Sequence, residues 1–223
     1  GDVQGQEQYT VNVKKTGKGS ITPEGDQTVF SGSTLSIMMT PDYKYKVAQI
    51  KVDGIPISAE EVAAADSVDQ YNLLVSGNQT VEVIYGAELS VSGHTYTIVG
   101  SEKLCGKEQD SEAYQNDMKE DDIEIGTFKM EYKHVPMGNY SFKISKDHSL
   151  TEFYADGSTV DVPVDDATVA ITFKEDTQQV TTEVRDAAGN PVSTGESETT
   201  APQTEEWQTE STAPQTEEWQ TET

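Results

Sequence analysis

Short runs in which apolar and polar residues alternate cover most of the first 86 residues. The runs are YTVNVKK (9–15), STLSIMMTP (33–41), VAQIKVDG (47–54) and QTVEVIYG (79–86). Successive side chains of a strand point to opposite faces, so each run predicts a half-buried strand. One segment, SAEEVAAADSVD (58–69), predicts a helix instead, because Ser58 stands three residues before Glu61 as in a capping box.

A second series of alternating runs follows. It comprises HTYTIVG (94–100), GTFKMEYKHV (126–135), GNYSFKISK (138–146), STVDVPV (158–164), ATVAITFK (167–174) and QQVTTEV (178–184). Strands spaced about every ten residues, with so little helix, are typical of β-sandwiches. We therefore predict an all-β fold with two small, immunoglobulin-like β-sandwich domains in tandem, at residues 8–86 and 87–185.

The composition changes sharply after Asp186. Residues 186–223 contain no basic residue, and their apolar content is too low to bury a core. They include a tandem repeat, TAPQTEEWQTES followed by TAPQTEEWQTET, which holds both tryptophans of the chain, Trp207 and Trp219. Repeats rich in Thr, Pro and Glu are extended and self-repelling, so we predict a disordered linker here.

The net charge of −25 narrows the class of partner. Nothing in such an acidic chain would neutralise phosphates, which excludes nucleic acid and disfavours an anionic membrane surface. No apolar run approaches the roughly 20 residues that a membrane span needs, so no membrane insertion is expected. Cys105 is the only cysteine and is expected to be a small buried hydrophobic residue.

The sequence lacks the motifs of an enzyme. There is no GxSxG, no HExxH and no Gly-rich phosphate loop, and the three histidines fall at unrelated spacings. We predict a protein without catalytic activity or cofactor. The segment KEDDIE (119–124) has oxygen ligands for loosely bound calcium but lacks the EF-hand pattern, and a solvated acidic turn is the favoured interpretation. No metal site is predicted.

The first series resembles the internalin-type B-repeat, a small β-rich module of Gram-positive surface proteins. The resemblance rests on GKGSITPEG (17–25), on TPDYKYKVAQIKVDG (40–54) and on the final QTVEVIYG. It implies a spacer or adhesin module without enzymatic activity. It also implies that Tyr45, Val47 and Ile50 pack in the core rather than bind a ligand.

The second series resembles the starch-binding β-sandwich module that is attached to pullulanases and found in starch-adhesion proteins of gut Firmicutes. The matching segments are YTIVGSEKLCG (96–106), NDM (116–118), VPMGNYSFKISKDHS (135–149) and VAITFKEDTQQVT (169–181). Such modules bind α-glucans by stacking aromatic rings on glucose faces while polar side chains fix the hydroxyls. The family places tryptophans where this chain has Gln109 and Leu150.

The resemblance implies a ligand-binding set from the positions that are retained. The set is Tyr154, Phe153, His148, Asp147, Lys146, Asn116, Asp117 and Tyr114. Structural roles remain open alternatives, because Asn116 and Asp117 are equally suited to cap a turn and His148 to be an oriented structural imidazole. Neighbours on a strand alternate faces, so one ring of the Phe153–Tyr154 pair is expected to face the core.

The sequence thus predicts a monomeric, non-catalytic carbohydrate-binding protein. The expected partner is α-glucan, namely starch, amylopectin or maltooligosaccharides, with other modules or enzymes of a surface complex as further partners. The expected location is secreted, on the cell surface or in an extracellular complex of a Gram-positive bacterium. The alternative is a structural spacer or protein-interaction module that has lost its glucan platform, which the two missing tryptophans favour.

Overall fold

A computed structural model describes residues 5–107 and 109–193. Of these residues 55% lie in strands and 9% in helices, which confirms the predicted all-β class. The repeat that holds Trp207 and Trp219, and with it most of the predicted linker, lies outside the described residues. No described helix is long and apolar enough to cross a membrane.

Eight strands and one helix form the part of the chain that we call the first half. They are β1 (Gln8–Thr16), β2 (Gly19–Thr22), β3 (Gly25–Phe30), β4 (Thr34–Pro41), β5 (Tyr45–Val52), β6 (Ile55–Pro56), α1 (Ala59–Val68), β7 (Gln70–Leu74) and β8 (Gln79–Ala87). One sheet has the order β3-β1-β8-β5-β6 and the other the order β2-β4-β7. Strands β1 and β8, which are distant in sequence, pair in parallel at the centre of the larger sheet.

Seven strands, a short helix and a 3-10 turn form the second half. They are β9 (Tyr96–Gly100), α2 (Glu102–Cys105), the 3-10 turn (Tyr114–Asn116), β10 (Lys119–Glu120), β11 (Thr127–Val135), β12 (Gly138–Lys146), β13 (Phe153–Val162), β14 (Ala167–Lys174) and β15 (Gln179–Arg185). Their sheets are β10-β11-β14-β15 and β13-β12-β9. In the part of the chain that the structure describes, no sheet contains strands from both halves.

Each half buries its own apolar cluster, as the alternating pattern predicts. In the first half the inward positions of β1 and β8, such as Val11 and Val83, are fully buried. In the second half Phe128, Ile144 and Ile171 lie in a cluster built from both sheets. The boundary at residue 87 remains a prediction.

The predicted helix is present and begins as its sequence indicates. Ser58 caps α1 by accepting a hydrogen bond from the Glu61 N–H at 3.2 Å. The helix ends at Val68, and the left-handed backbone of its C-cap residue, Asp69 (φ 54°), turns the chain directly into β7. Burial of Val62 and Ala65 against the sheet stabilises a helix too short to persist alone.

The second half extends beyond its last strand. After Arg185 the chain makes a turn in which Asp186 Oδ1 accepts hydrogen bonds from the N–H groups of Ala188 and Asn190. Val192 then packs against the second apolar cluster and donates a backbone hydrogen bond to Val184. The first residues of the predicted linker, 186–193, are thus part of this packed structure.

Candidate functional site

The loop between β12 and β13 is held in an unusual backbone conformation. Asp147 and His148 both lie in the left-handed region, with φ of 52° and 55°, which is uncommon for two consecutive residues other than glycine. Asp147 exchanges backbone hydrogen bonds with Thr95 through its own N–H (2.9 Å) and its Oδ1 (3.0 Å). Its Oδ2 lies 2.8 Å from His94 Nδ1. These contacts fix the loop to the start of β9.

Electrostatics keep the Asp147 carboxylate charged. Partial burial opposes its ionisation, but the hydrogen bonds from Thr95 and His94 outweigh that cost and hold its pKa below the usual value. Asp147 is half exposed at the mouth of a cavity. It is therefore available as a hydrogen-bond acceptor for a ligand hydroxyl.

Asp117 is the buried anchor of the site. It is 1% exposed. Its Oδ1 accepts hydrogen bonds from Thr97 Oγ1 and from His148 Nε2, each at 2.7 Å, and its Oδ2 accepts one from the Ala87 N–H at 3.0 Å. These three hydrogen bonds hold the buried carboxylate in place, and through one of them Asp117 fixes the orientation of the His148 ring.

Tyr114 stands beside the anchored imidazole. The ring centroids of Tyr114 and His148 are 4.2 Å apart, with an angle of 45° between the planes. Burial, with the Asp117 charge nearby, raises the pKa of the Tyr114 hydroxyl, which is thus a neutral donor at physiological pH. Both rings line a cavity of 360 Å³ together with Asp147.

The first half contributes Lys46 to the same cavity. Lys46 and Ala87 line it together with Tyr114 and His148. The close approach depends on Gly86, since a Cβ there would lie 2.8 Å from Asp117 Oδ2. Sequence reasoning missed Lys46 because no local pattern marks it and only the packing of the two halves brings it to the site.

Asn116 is buried below the cavity rather than in it. It is 1% exposed, and its Oδ1 accepts a hydrogen bond from the Tyr132 hydroxyl at 2.8 Å. Its Nδ2 has no hydrogen-bond partner among residues 5–107 and 109–193. Asn116 therefore supports the 3-10 turn that presents Tyr114.

The remaining predicted residues form a separate group along β13. The Tyr154 ring packs against Tyr96 and Phe173, with centroids 6.3 and 5.7 Å away, and is half-buried on the core. Phe153 lies on the other face, where the Lys143 ammonium is 3.8 Å from its ring centroid. The pair thus divides between core and surface as alternation requires.

Lys146 belongs to the Tyr154 group. Burial and the Glu152 carboxylate raise the pKa of the Tyr154 hydroxyl, and Lys146 partly offsets this effect. Neither Lys146 nor Tyr154 lines the cavity of Tyr114 and His148. The structure therefore brings Tyr114, Asp117, Asp147 and His148 together and leaves Lys146, Phe153 and Tyr154 outside that cluster.

The two positions at which the resemblance implies tryptophan are on the surface. Leu150 is 72% exposed, two residues beyond His148, and Gln109 is exposed with a φ of 48°. Within residues 5–107 and 109–193 no group of three or more His, Cys, Asp or Glu side chains is arranged to hold a metal ion. In the acidic segment at 119–124, strand β10 is followed by a turn in which Asp121 Oδ1 accepts hydrogen bonds from the N–H groups of Ile123 and Glu124.

Most of the second half matches a known family of protein domains. Residues 95–188, less than half of the 223-residue chain, match the model of the family described as the pullulanase X25 domain. This match confirms the pullulanase-module resemblance for that segment. The resemblance of residues 8–86 to the B-repeat remains a prediction.

Among solved structures, SusF from Bacteroides thetaiotaomicron is similar at 12% sequence identity and a TM-score of 0.28. The alignment covers 82% of this chain and 44% of SusF, so the chain spans less than half of that protein's length. A comparison with curated proteins returned no match.

Proposed function

We propose that the second half binds α-glucan without catalysis, through the cavity of Tyr114, His148 and Asp147. The observation that supports this most is the Tyr114–His148 ring pair, held in place by the buried Asp117 carboxylate. Rings fixed in this way lose little conformational entropy when a sugar stacks on them. The match of residues 95–188 to a pullulanase domain supports starch-type glucans as the ligand class.

The chemistry of the cavity suits a neutral polyhydroxylated ligand. Tyr114 offers an apolar face and a hydroxyl donor, Asp147 offers acceptors, and Lys46 offers an ammonium donor. Covering a ring with a sugar face removes apolar surface worth about 1–3 kcal/mol. Losing the Tyr114 ring is therefore expected to weaken binding by about tenfold to a hundredfold.

Affinity electrophoresis on amylopectin, pullulan and cellulose gels tests the proposal, followed by calorimetry with maltoheptaose. Amylopectin is expected to retard the wild-type chain and cellulose is not. Tyr114→Ala should abolish most of the retardation, while Phe30→Ala, a matched loss of an exposed ring on β3, should not. Binding should be unchanged between 50 and 500 mM salt because the ligand is neutral. A chain that no α-glucan gel retards would refute the proposal.

The structural-module alternative also has an observation in its favour. Leu150 is exposed where the family has a platform ring, and Tyr154 is engaged with the core. If the wild-type chain shows no affinity for any of the polysaccharides, we propose instead a spacer or protein-interaction module that keeps the fold without the ligand.

The setting that we propose for α-glucan binding is extracellular. A chain of net charge −25 is highly soluble and has no affinity for anionic surfaces, which suits a monomeric unit in a surface-bound or secreted starch-degrading complex of a Gram-positive bacterium. Protease treatment of intact cells tests this, since a surface protein is cleaved under conditions that leave cytoplasmic markers intact. Light scattering after gel filtration tests the monomeric state.

A further inference from the structure

The two halves meet along a seam that is lined by a series of cavities. The largest, of 460 Å³, lies between Tyr45 of the first half and the outer face of β11 and β14. A second, of 180 Å³, shares Glu120 with the first, and the Tyr114 cavity of 360 Å³ shares Ala87 with the second. Adjacent cavities thus follow one another along the seam.

Tyr43 stands beside the largest of these cavities. It is 70% exposed, which is more than any other aromatic residue among the exposed large hydrophobic side chains. The Lys119 ammonium, which lines the cavity, lies 5.2 Å from the Tyr43 ring centroid. The Lys119 ammonium therefore lies over one face of the Tyr43 ring, and most of the side chain is exposed to solvent. Ile123, 90% exposed, adds an apolar edge to the same cavity.

The neighbour of Tyr43 fixes its position relative to the second half. Lys44 Nζ lies 2.7 Å from Asp122 Oδ1 and donates a hydrogen bond to the Glu120 carbonyl at 3.3 Å. The Lys44 carbonyl accepts from the Glu88 N–H at 2.9 Å. These contacts tie the turn that carries Tyr43 to Glu120 and Asp122 of the second half and to Glu88 at the end of the first. An exposed ring on a fixed turn is pre-organised for stacking.

The charges around the cavity are close to balanced. Three lysines, Lys18, Lys119 and Lys129, line it together with four carboxylates, and Lys129 is paired with Asp121 at 2.9 Å. Such a surface does not select an anion or a cation. It presents many donors and acceptors at short intervals, which suits a neutral ligand with many hydroxyls.

We infer that the seam forms one groove for an extended α-glucan chain, with Tyr43 as a second stacking platform and Tyr114 as the first. This inference rests on the proposed function and adds a contact that the first half supplies. A short oligosaccharide fills the Tyr114 cavity alone, whereas a long one reaches Tyr43. The affinity for an oligosaccharide should therefore keep rising with its length after it has become long enough to fill the Tyr114 cavity.

Calorimetry with maltotriose and with maltodecaose tests the inference on the full chain. The variants are Tyr43→Ala, Tyr43→Phe and Tyr114→Ala, with Phe30→Ala as the matched control. Tyr43→Ala should lower the affinity for maltodecaose about tenfold and leave that for maltotriose unchanged. Tyr43→Phe should match the wild-type chain, because stacking needs the ring rather than the hydroxyl. Thermal melting shows that each variant is folded.

The outcomes separate the inference from the proposed function. If Tyr43→Ala binds maltodecaose as the wild-type chain does while Tyr114→Ala does not, the groove is wrong and the proposed site stands. If maltotriose binding is lost in Tyr43→Ala and kept in Tyr114→Ala, the stacking platform is Tyr43 and the proposed site is wrong. If the wild-type chain binds neither oligosaccharide, both fail.

Discussion

His148 Nε2 donates a hydrogen bond of 2.7 Å to Asp117 Oδ1, which joins a surface loop to a buried carboxylate. The same carboxylate accepts from the Ala87 N–H, at the point where the chain passes from the first half to the second. The loop between β12 and β13, the core of the second half and the contact between the two halves thus share one buried carboxylate.

Replacing that anchor should destabilise the fold. In Asp117→Ala the buried Thr97 hydroxyl and the Ala87 N–H lose their acceptor, and each such loss costs about 1–3 kcal/mol. We expect urea unfolding to show a free energy of unfolding lower by about 2–5 kcal/mol. Asp156→Ala, at an exposed position of β13, serves as the control and should change it by less than about 0.5 kcal/mol. Equal stability of the two variants would contradict the anchor role.

Tyr154 offers a test of its packing role. Tyr154→Ala removes a ring that packs on Tyr96 and Phe173, and we expect it to lower the free energy of unfolding by about 2–4 kcal/mol. Tyr154→Phe removes only the hydroxyl bonded to Glu152 and should change it by less than about 1 kcal/mol. If Tyr154→Ala is as stable as the wild-type chain in thermal and urea melts, the ring is not a core residue.

Leu150 offers a gain-of-function test. Leu150→Trp places a ring on an exposed position of the loop between β12 and β13, so it needs no repacking of the core. If the proposed function holds, amylopectin affinity should rise about tenfold, as expected for one added stacking surface. Leu74→Trp, on the similarly exposed end of β7, is the control and should leave affinity unchanged. An equal rise in amylopectin affinity in both variants would show that an exposed tryptophan binds amylopectin non-specifically, wherever it stands.

Tyr85 should govern part of the alkaline stability. Burial raises the pKa of its hydroxyl, which donates to the Ser20 carbonyl, to about 12 from the ordinary value of 10. The folded state therefore holds this proton more tightly than the unfolded state. The resulting stabilisation is complete below pH 10 and is lost as the pH rises towards 12. Stability measured across this range should fall more steeply for the wild-type chain than for Tyr85→Phe, and parallel curves would contradict the assignment.

Cys105 reports on the unfolding of the second half. Burial raises the pKa of its thiol to about 11, so the folded chain should not react with a thiol reagent at pH 8. Ile171→Ala, which opens a cavity in the same cluster, should accelerate the reaction. Val83→Ala makes a similar change in the first cluster. It should leave the rate unchanged if the two halves unfold independently, whereas an accelerated reaction would show that they unfold together.

Alternation predicted the long strands well because one face of each is buried. The runs at 79–86 and 138–146 correspond to β8 (Gln79–Ala87) and β12 (Gly138–Lys146). The short strands β2 and β7 were not predicted. Strand β2 lies in a segment of glycines and a proline that reads as a turn, and β7 follows α1 with no break except Asp69. Their pairing with β4 supplies the stability that their own sequence lacks.

The residues of the candidate site could be predicted from the sequence only where they lie in the second half. Tyr114, Asp117 and His148 were predicted by resemblance, and the structure brings them into contact. The alternation of side chains along a strand required one ring of the Phe153–Tyr154 pair to face the core, but it could not show which ring. Lys46 and Tyr43 come from the first half, and no local pattern links them to residues of the second. Only tertiary packing reveals such contacts.

The parallel pairing of β1 with β8 has a mechanical consequence. The first half begins with β1 and ends with β8, and these two neighbouring strands pair from Val11 beside Gln79 to Thr16 beside Ile84. Because the strands are parallel, the start of β1 and the end of β8 lie at opposite ends of the pair. Tension along the chain would therefore load these hydrogen bonds in shear, all at the same time, instead of peeling them apart one by one. We therefore expect the first half to resist a force applied between the start of β1 and the end of β8.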